Sequence, residues 1–183
     1  SVVIMEGLSE RDKNKIKNNS YFLQNLIFID QCDPADQPDL DSDTTDIIKK
    51  AIRYAEINDF EECFKLFDEA LNKIPNSPSI LNDRAQALRL AGRNEDALKD
   101  LNLAVELSQG KGKAGMQALT QRGILYRCMG MNKEAKEDFR LAAKKGSDFA
   151  TSQLIDLDPY IASIAISECY SIAYKTLKQC LLM

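Results

Sequence analysis

Few residues in this chain have the type and spacing to do covalent or acid–base chemistry. Cysteines stand at 32, 63, 128, 169 and 180, odd in number and without a CxxC pair. Carboxylates cluster at Asp59, Glu61 and Glu62 and again at Glu95 and Asp96. Histidine, the commonest general base and metal ligand, is absent, and so is tryptophan. A nucleophile at Cys128 therefore has no imidazole to activate it. The acidic groups fall where turns are expected, where carboxylates cap helices and meet solvent. The stretch QGKGKAG (109–115) carries glycines and lysines, but no strand leads into it as a phosphate-binding loop requires. These residues predict no enzyme, no cofactor and no metal site.

The chemistry left to the chain is recognition, and the elements that position it are legible as repeats. Ala51, Ala85 and Gly123 form one recurring set; Tyr54, Leu88 and Tyr126 form the next. Cys63, Ala97 and Ala135 follow, then Phe67, Leu101 and Phe139, then Ala70, Ala104 and Ala142. Within every set the first step is 34 residues and the second 38. A 34-residue period with small and large residues alternating in this way is the signature of the tetratricopeptide repeat, a helix–turn–helix unit that stacks into a superhelix. The small positions allow close helix packing, and a large side chain there would cost about 1–3 kcal/mol through overpacking. The fold class is therefore an all-α solenoid of three helical hairpins with C-terminal capping helices.

Composition agrees. The chain has 183 residues, 44% hydrophobic and 28% charged, enough to bury a core without staples. Its net charge of −4 is uneven: residues 1–43 hold four bases and nine acids, and residues 44–183 hold twenty and nineteen. The repeats thus lack the field that steers nucleic acid. Cys63 shares its register with Ala97 and Ala135 and reads as a small core filler, so a reducing, cytoplasmic setting is expected. SVVIMEG is too short an apolar run for a signal peptide, and no stretch approaches an uncharged membrane span.

Residues 1–43 read as an arm: an apolar cluster at 21–29, then an acidic linker with Pro34, Pro38 and six aspartates between Asp30 and Asp43. Thr44 or Thr45 is the expected first N-cap, with Asp46 in the first turn. Repeats are expected at 44–77, 78–111 and 116–149, turning at Asn58-Asp59, Gly92 and Gly130, with QGKGKAG as a longer loop between the second and third. A short capping helix runs to Leu157, Asp158-Pro159 breaks the chain, and the C-terminal segment 158–183 is expected to form a last helix from Tyr160 towards Cys180. That helix places Ile166, Tyr170, Ala173, Leu177 and Leu181 on one stripe, with Ile161, Ile164 and Ile172 off it. It serves either as a cap alone or as a contact to another segment or chain.

The first helix of each unit should line the inner surface. By register the lining is Ile48, Lys49 and Ile52, then Asn82, Asp83, Gln86 and Arg89, then Gln117, Gln121, Ile124 and Arg127. Ile48 and Ile52, one turn apart, form an apolar patch for an amphipathic helix or extended peptide, for the chain's own 21–29 segment, or for the core. If segment and ligand compete, the arm is an autoinhibitory plug; deleting residues 1–43 should then raise the binding of an apolar dye. Arg84 and Arg122, at matching positions, serve as ligand anchors or as ties between helices.

From Asn82 to Tyr160 the sequence resembles the tetratricopeptide repeat protein 36 family. The resemblance is carried by NDRAQALRLAGRNEDALKDLNLAVELS, the QGKGKA insertion, QRGILYR, DFRLAAKKGS and QLIDLDPY. It implies a small cytosolic three-repeat scaffold, without catalysis, associated with Hsp70-type chaperone binding or client sheltering. The best-known mode of such repeats holds the acidic C-terminal tails of Hsp70 and Hsp90 in a carboxylate clamp of lysine, asparagine and arginine. The equivalent positions here are Ile48, Ile52, Asp83, Gln117 and Gln121; none matches, and Asp83 has the wrong charge. The expectation is a monomeric adaptor or co-chaperone that does not use the clamp, the alternative a subunit joined to an assembly through its apolar C-terminal helix.

Overall fold

The computed structural model describes residues 40–158 together with Tyr160, Ile164, Ile166 and Ser167. The expected N-terminal arm up to residue 39, including its apolar cluster, lies outside the described residues, as does the C-terminal helix apart from those four positions. Seven helices and no strand occur among the described residues: α1 (Ser42–Glu56), α2 (Phe60–Lys73), α3 (Pro78–Leu90), α4 (Asn94–Ser108), α5 (Gly112–Cys128), α6 (Asn132–Ala143) and α7 (Asp148–Leu157). They pair as hairpins α1–α2, α3–α4 and α5–α6, with α7 packed on α6. The first helices also touch in series, α1 on α3 and α3 on α5, which makes them one continuous layer.

The hairpin turns repeat in atomic detail. Asn58, Gly92 and Gly130 occupy equivalent positions, and all have φ between 62° and 77°. The residue after each donates its N–H back into the first helix: Asp59 to Tyr54 O (2.9 Å), Arg93 to Leu88 O (2.8 Å) and Met131 to Tyr126 O (2.8 Å). This closure satisfies a carbonyl that the helix end leaves orphaned, and it needs a left-handed residue, which glycine supplies freely and asparagine tolerates.

Four of the five recurring sets are wholly buried, and the fifth contributes buried Leu88 flanked by partly buried Tyr54 and Tyr126. Cys63, Ala97 and Ala135 lie inside as expected. Burial pushes the Cys63 thiol up to about 11, with Asp59 adding to the rise, which keeps it protonated and inert.

Two boundaries differ from expectation. Helix α1 starts at Ser42, not Thr44, because Asp41 caps it by accepting from the Thr44 N–H at 2.6 Å. The QGKGKAG segment is a loop only at its start. Gln109 and Gly110 take left-handed dihedrals, and Gly112 already opens α5, which has 17 residues against 13 in α3. The four additional residues are one further turn of helix, and that turn is the reason for the 38-residue step.

Candidate interaction surface

The residues expected to line the inner surface divide sharply in exposure. Ile48 (7% exposed) and Ile124 (4%) belong to the core: Ile48 clusters with Ala51 and Ala55, and Ile124 with Phe139 and Ala142. Ile52 is half-buried against the same cluster as Ile48. The expected apolar patch of the first repeat is thus largely absorbed by packing, since the 48/51/52/55 stripe is the buried face of α1. Lys49 is exposed and reaches Asp46 at 3.6 Å on its own helix.

The second and third repeats concentrate the polar groups. Asn82, fully buried, donates its Nδ2 to Ala114 O at 2.9 Å and so ties α3 to the added turn of α5. Its Oδ1 has no hydrogen-bond partner, nor has the buried Oε1 of Gln121. Asp83 is partly exposed; burial pushes its carboxyl up to about 7, while Lys113 on α5 pulls it the other way. Gln86, Arg89 and Gln117 are partly exposed. Arg127 donates to Gln153 Oε1 on α7 at 2.5 Å. The structure therefore brings Asn82 and Asp83 of α3 to the first turn of α5, with its Ala114 and with Lys113, a residue that sequence reasoning assigned to a loop. Cys128 is exposed at the end of α5, and no group of three metal-ligating side chains occurs among the described residues.

Arg84 and Arg122 are ties between helices. Arg84 forks onto Asp100 of α4 (2.7 and 2.8 Å) and reaches Asp68 of α2 at 2.8 Å. Arg122 repeats the motif on Asp138 of α6 (2.7 Å twice) and reaches Asn102 of α4 at 3.0 Å. Each guanidinium thus joins its own hairpin to the one before. Burial pushes the Asp138 carboxyl up while Arg122 opposes it. The aspartates were missed as partners, although Arg84/Asp100 and Arg122/Asp138 are both 16 apart and share the 38-residue step.

No protein-family model matches the chain. It is 49% identical to tetratricopeptide repeat protein 36 of Xenopus tropicalis over 117 residues, which cover 64% of this chain and 58% of that one. The chain thus spans less than two thirds of the frog relative. It is 37% identical to the tetratricopeptide repeat protein 36 homolog of Drosophila melanogaster over 152 residues, covering 81% of this chain and 82% of the fly protein. Among solved structures, the TPR domain of Sgt2 from Aspergillus fumigatus superposes with a TM-score of 0.57 at 21% identity, covering 71% of this chain and 85% of that one. That likeness concerns the fold.

Proposed function

The chain belongs to the tetratricopeptide repeat protein 36 family, and from that premise we infer a cytoplasmic, non-catalytic adaptor that binds an Hsp70-type chaperone without grasping its acidic tail. The tetratricopeptide fold makes the chain a protein-interaction scaffold. One observation carries the finer reading. The five positions that would form a carboxylate clamp hold Ile48, Ile52, Asp83, Gln117 and Gln121, with Ile48 in the core and no cation among them. A clamp holds carboxylates with charge-assisted donors, which these residues do not supply.

Calorimetric titration with full-length Hsp70 and with Hsp70 lacking its acidic tail tests this. Equal binding to both is the expected result. Binding lost with the tail overturns the reading, and no heat with either directs the search to another client.

A second reading has its own observation. Ile155, Tyr160 (74% exposed) and Ile164 place large apolar side chains in solvent at and beyond the C-terminal end of α7. Such a surface suits a subunit joined to an assembly through its C-terminal helix. Sedimentation velocity separates the two readings: a monomer at micromolar concentration supports the adaptor, and a concentration-dependent dimer supports the subunit.

No helix among the described residues is long and apolar enough to cross a membrane.

A further inference from the structure

We propose that the backward face of α1, the side on which a preceding hairpin would stack, is covered by the chain's own acidic segment 30–39, with its aspartates on Lys50 and Arg53. Stacking leaves this face open. Each later first helix packs one side on the hairpin before it: Ile80 and Ala87 of α3 join Phe67 and Ala70 of α2. Ala118 and Leu125 of α5 likewise join Ala104 and Leu101 of α4. The equivalent positions in α1 are Asp46 and Arg53, both exposed, and no helix stands before α1 among the described residues.

Lys50 shows what the face lacks. Its counterparts Arg84 and Arg122 each reach back to an acceptor in the preceding hairpin, Asp68 at 2.8 Å and Asn102 at 3.0 Å. Within its own hairpin, Leu66 stands where those arginines have Asp100 and Asp138. Among the described residues neither Lys50 nor Arg53 makes an ion pair, though Arg53 lies near enough to Glu56 to act on its carboxyl. Lys49 beside them is balanced by Asp46 at 3.6 Å. The face therefore carries two uncompensated cations. Solvent contact at the end of a stack calls for polar residues, but not for a surplus of one sign.

The segment that precedes α1 supplies the opposite sign at a fitting spacing. Asp30, Asp33, Asp36 and Asp39 recur every third residue, with Pro34 and Pro38 among them. Three residues make one turn of polyproline II, so in that form all four carboxylates share one side. The segment begins where Leu40 packs on the first-repeat core and Asp41 caps α1. At about 3.1 Å per residue, Asp36 and Asp33 fall ~12 and ~22 Å back from Leu40. Lys50 and Arg53 lie ~12 and ~17 Å along α1 from Ser42. A segment folded back along the helix thus brings carboxylates level with both cations. Exposed ion pairs are individually weak, but the tether holds the segment at about millimolar effective concentration.

Paramagnetic relaxation on the full chain tests this, with a nitroxide on Cys32. Cys128→Ala, Cys169→Ala and Cys180→Ala leave only Cys63 besides, which is buried and protonated. At low salt the amide peaks of residues 50–56 should lose at least half their intensity relative to the reduced label. About 0.5 M sodium chloride, which screens charges beyond a few ångströms, should restore them. Lys50→Glu with Arg53→Glu should restore them too, whereas Lys50→Arg with Arg53→Lys should not. In the unlabelled chain, Asp33→Asn with Asp36→Asn should shift those same amides. Broadening confined to the first turn of α1, broadening indifferent to salt and charge reversal, or unshifted amides in the aspartate variant overturns the proposal. Broadening passed from a labelled copy to an unlabelled one also overturns it, and makes a second copy the occupant. None of these outcomes bears on the Hsp70 titration.

Discussion

Arg122 and Asp138 show how much stability one side-chain pair can govern. The Asp138 side chain is only 4% exposed, so removing its guanidinium strands a charge where water cannot reach it. Breaking a buried pair in this way costs about 3–5 kcal/mol, whereas replacing both members with apolar groups of like volume is close to neutral. Arg122→Ala should therefore lose most of the chain's stability in urea titration, and Arg122→Met with Asp138→Leu should recover much of it. A double variant as weak as the single one would refute this account. Asp83 makes the opposite case, a carboxyl with no partner. Its folded value of about 7 lies above the ordinary 3.8, so the folded chain holds this proton more tightly than the unfolded chain does. Ionisation then works against the fold as pH rises from about 4 to 7, and the full cost persists above that. Asp83→Asn should melt higher than the natural chain at about pH 8 and converge with it near about pH 4; coincident melting curves at both pH values would contradict the assignment. At this scale the sequence was only partly legible. Register placed Asn82, Asp83 and Gln121 on the lining surface, whereas Asn82 and Gln121 are buried in the stack and only Asp83 is partly exposed. Which of them keep an unspent acceptor depends on Ala114 O and Lys113, contacts that arise only once the hairpins stack.

Helices were the most legible level, because their signals are local. Alternation of small and large residues, turn residues at Asn58, Gly92 and Gly130, and Pro78 after the capping Ser77 all act within one or two turns of chain. The exception was QGKGKAG, where glycine content suggested a loop but the chain continues as helix. The reason is tertiary. A Cβ on Gly115 would lie 2.4 Å from the Gly110 carbonyl carbon, so glycine there lets the first turn of α5 settle against the bend that precedes it. Gly123 differs: its missing Cβ would meet only the Phe139 ring edge at 2.9 Å, and the first repeat accommodates Ala51 beside Phe67 at the same positions. Gly115→Ala should cost about 1–3 kcal/mol through overpacking against backbone. Gly123→Ala should cost distinctly less, because a ring can shift and alanine favours helix by up to about 1 kcal/mol. Thermal denaturation of the two variants checks the order, and Gly123→Ala emerging as the weaker protein would reverse the argument.

Across the whole molecule the arginine forks link hairpins unevenly. The positions equivalent to Arg84 and Asp100 in the first hairpin are Lys50 and Leu66, a pair that cannot form the fork. Stacked repeats behave as a row of units joined by nearest-neighbour interfaces, so units with weaker ties open first. Hydrogen exchange should accordingly be faster in α1 and α2 than in α3 to α6; uniform exchange along the stack would show that the forks do not set the gradient. The order of hairpins could be read from periodicity, but this gradient could not, since it depends on which partner each guanidinium finds across a gap of 16 to 20 residues. The added turn of α5 has a different consequence. A helix lengthens in quanta: four residues rotate the chain by slightly more than one revolution and advance it by about 6 Å, so everything downstream keeps nearly its former azimuth. The third hairpin thus retains its place in the stack while its first helix projects as an overhang above α3, carrying Lys113 and Ala114 out over Asp83 and Asn82. Excising one turn from that overhang would leave the architecture standing and remove what lies over Asn82 and Asp83, which makes helix length, rather than surface substitution, the variable that sets their surroundings.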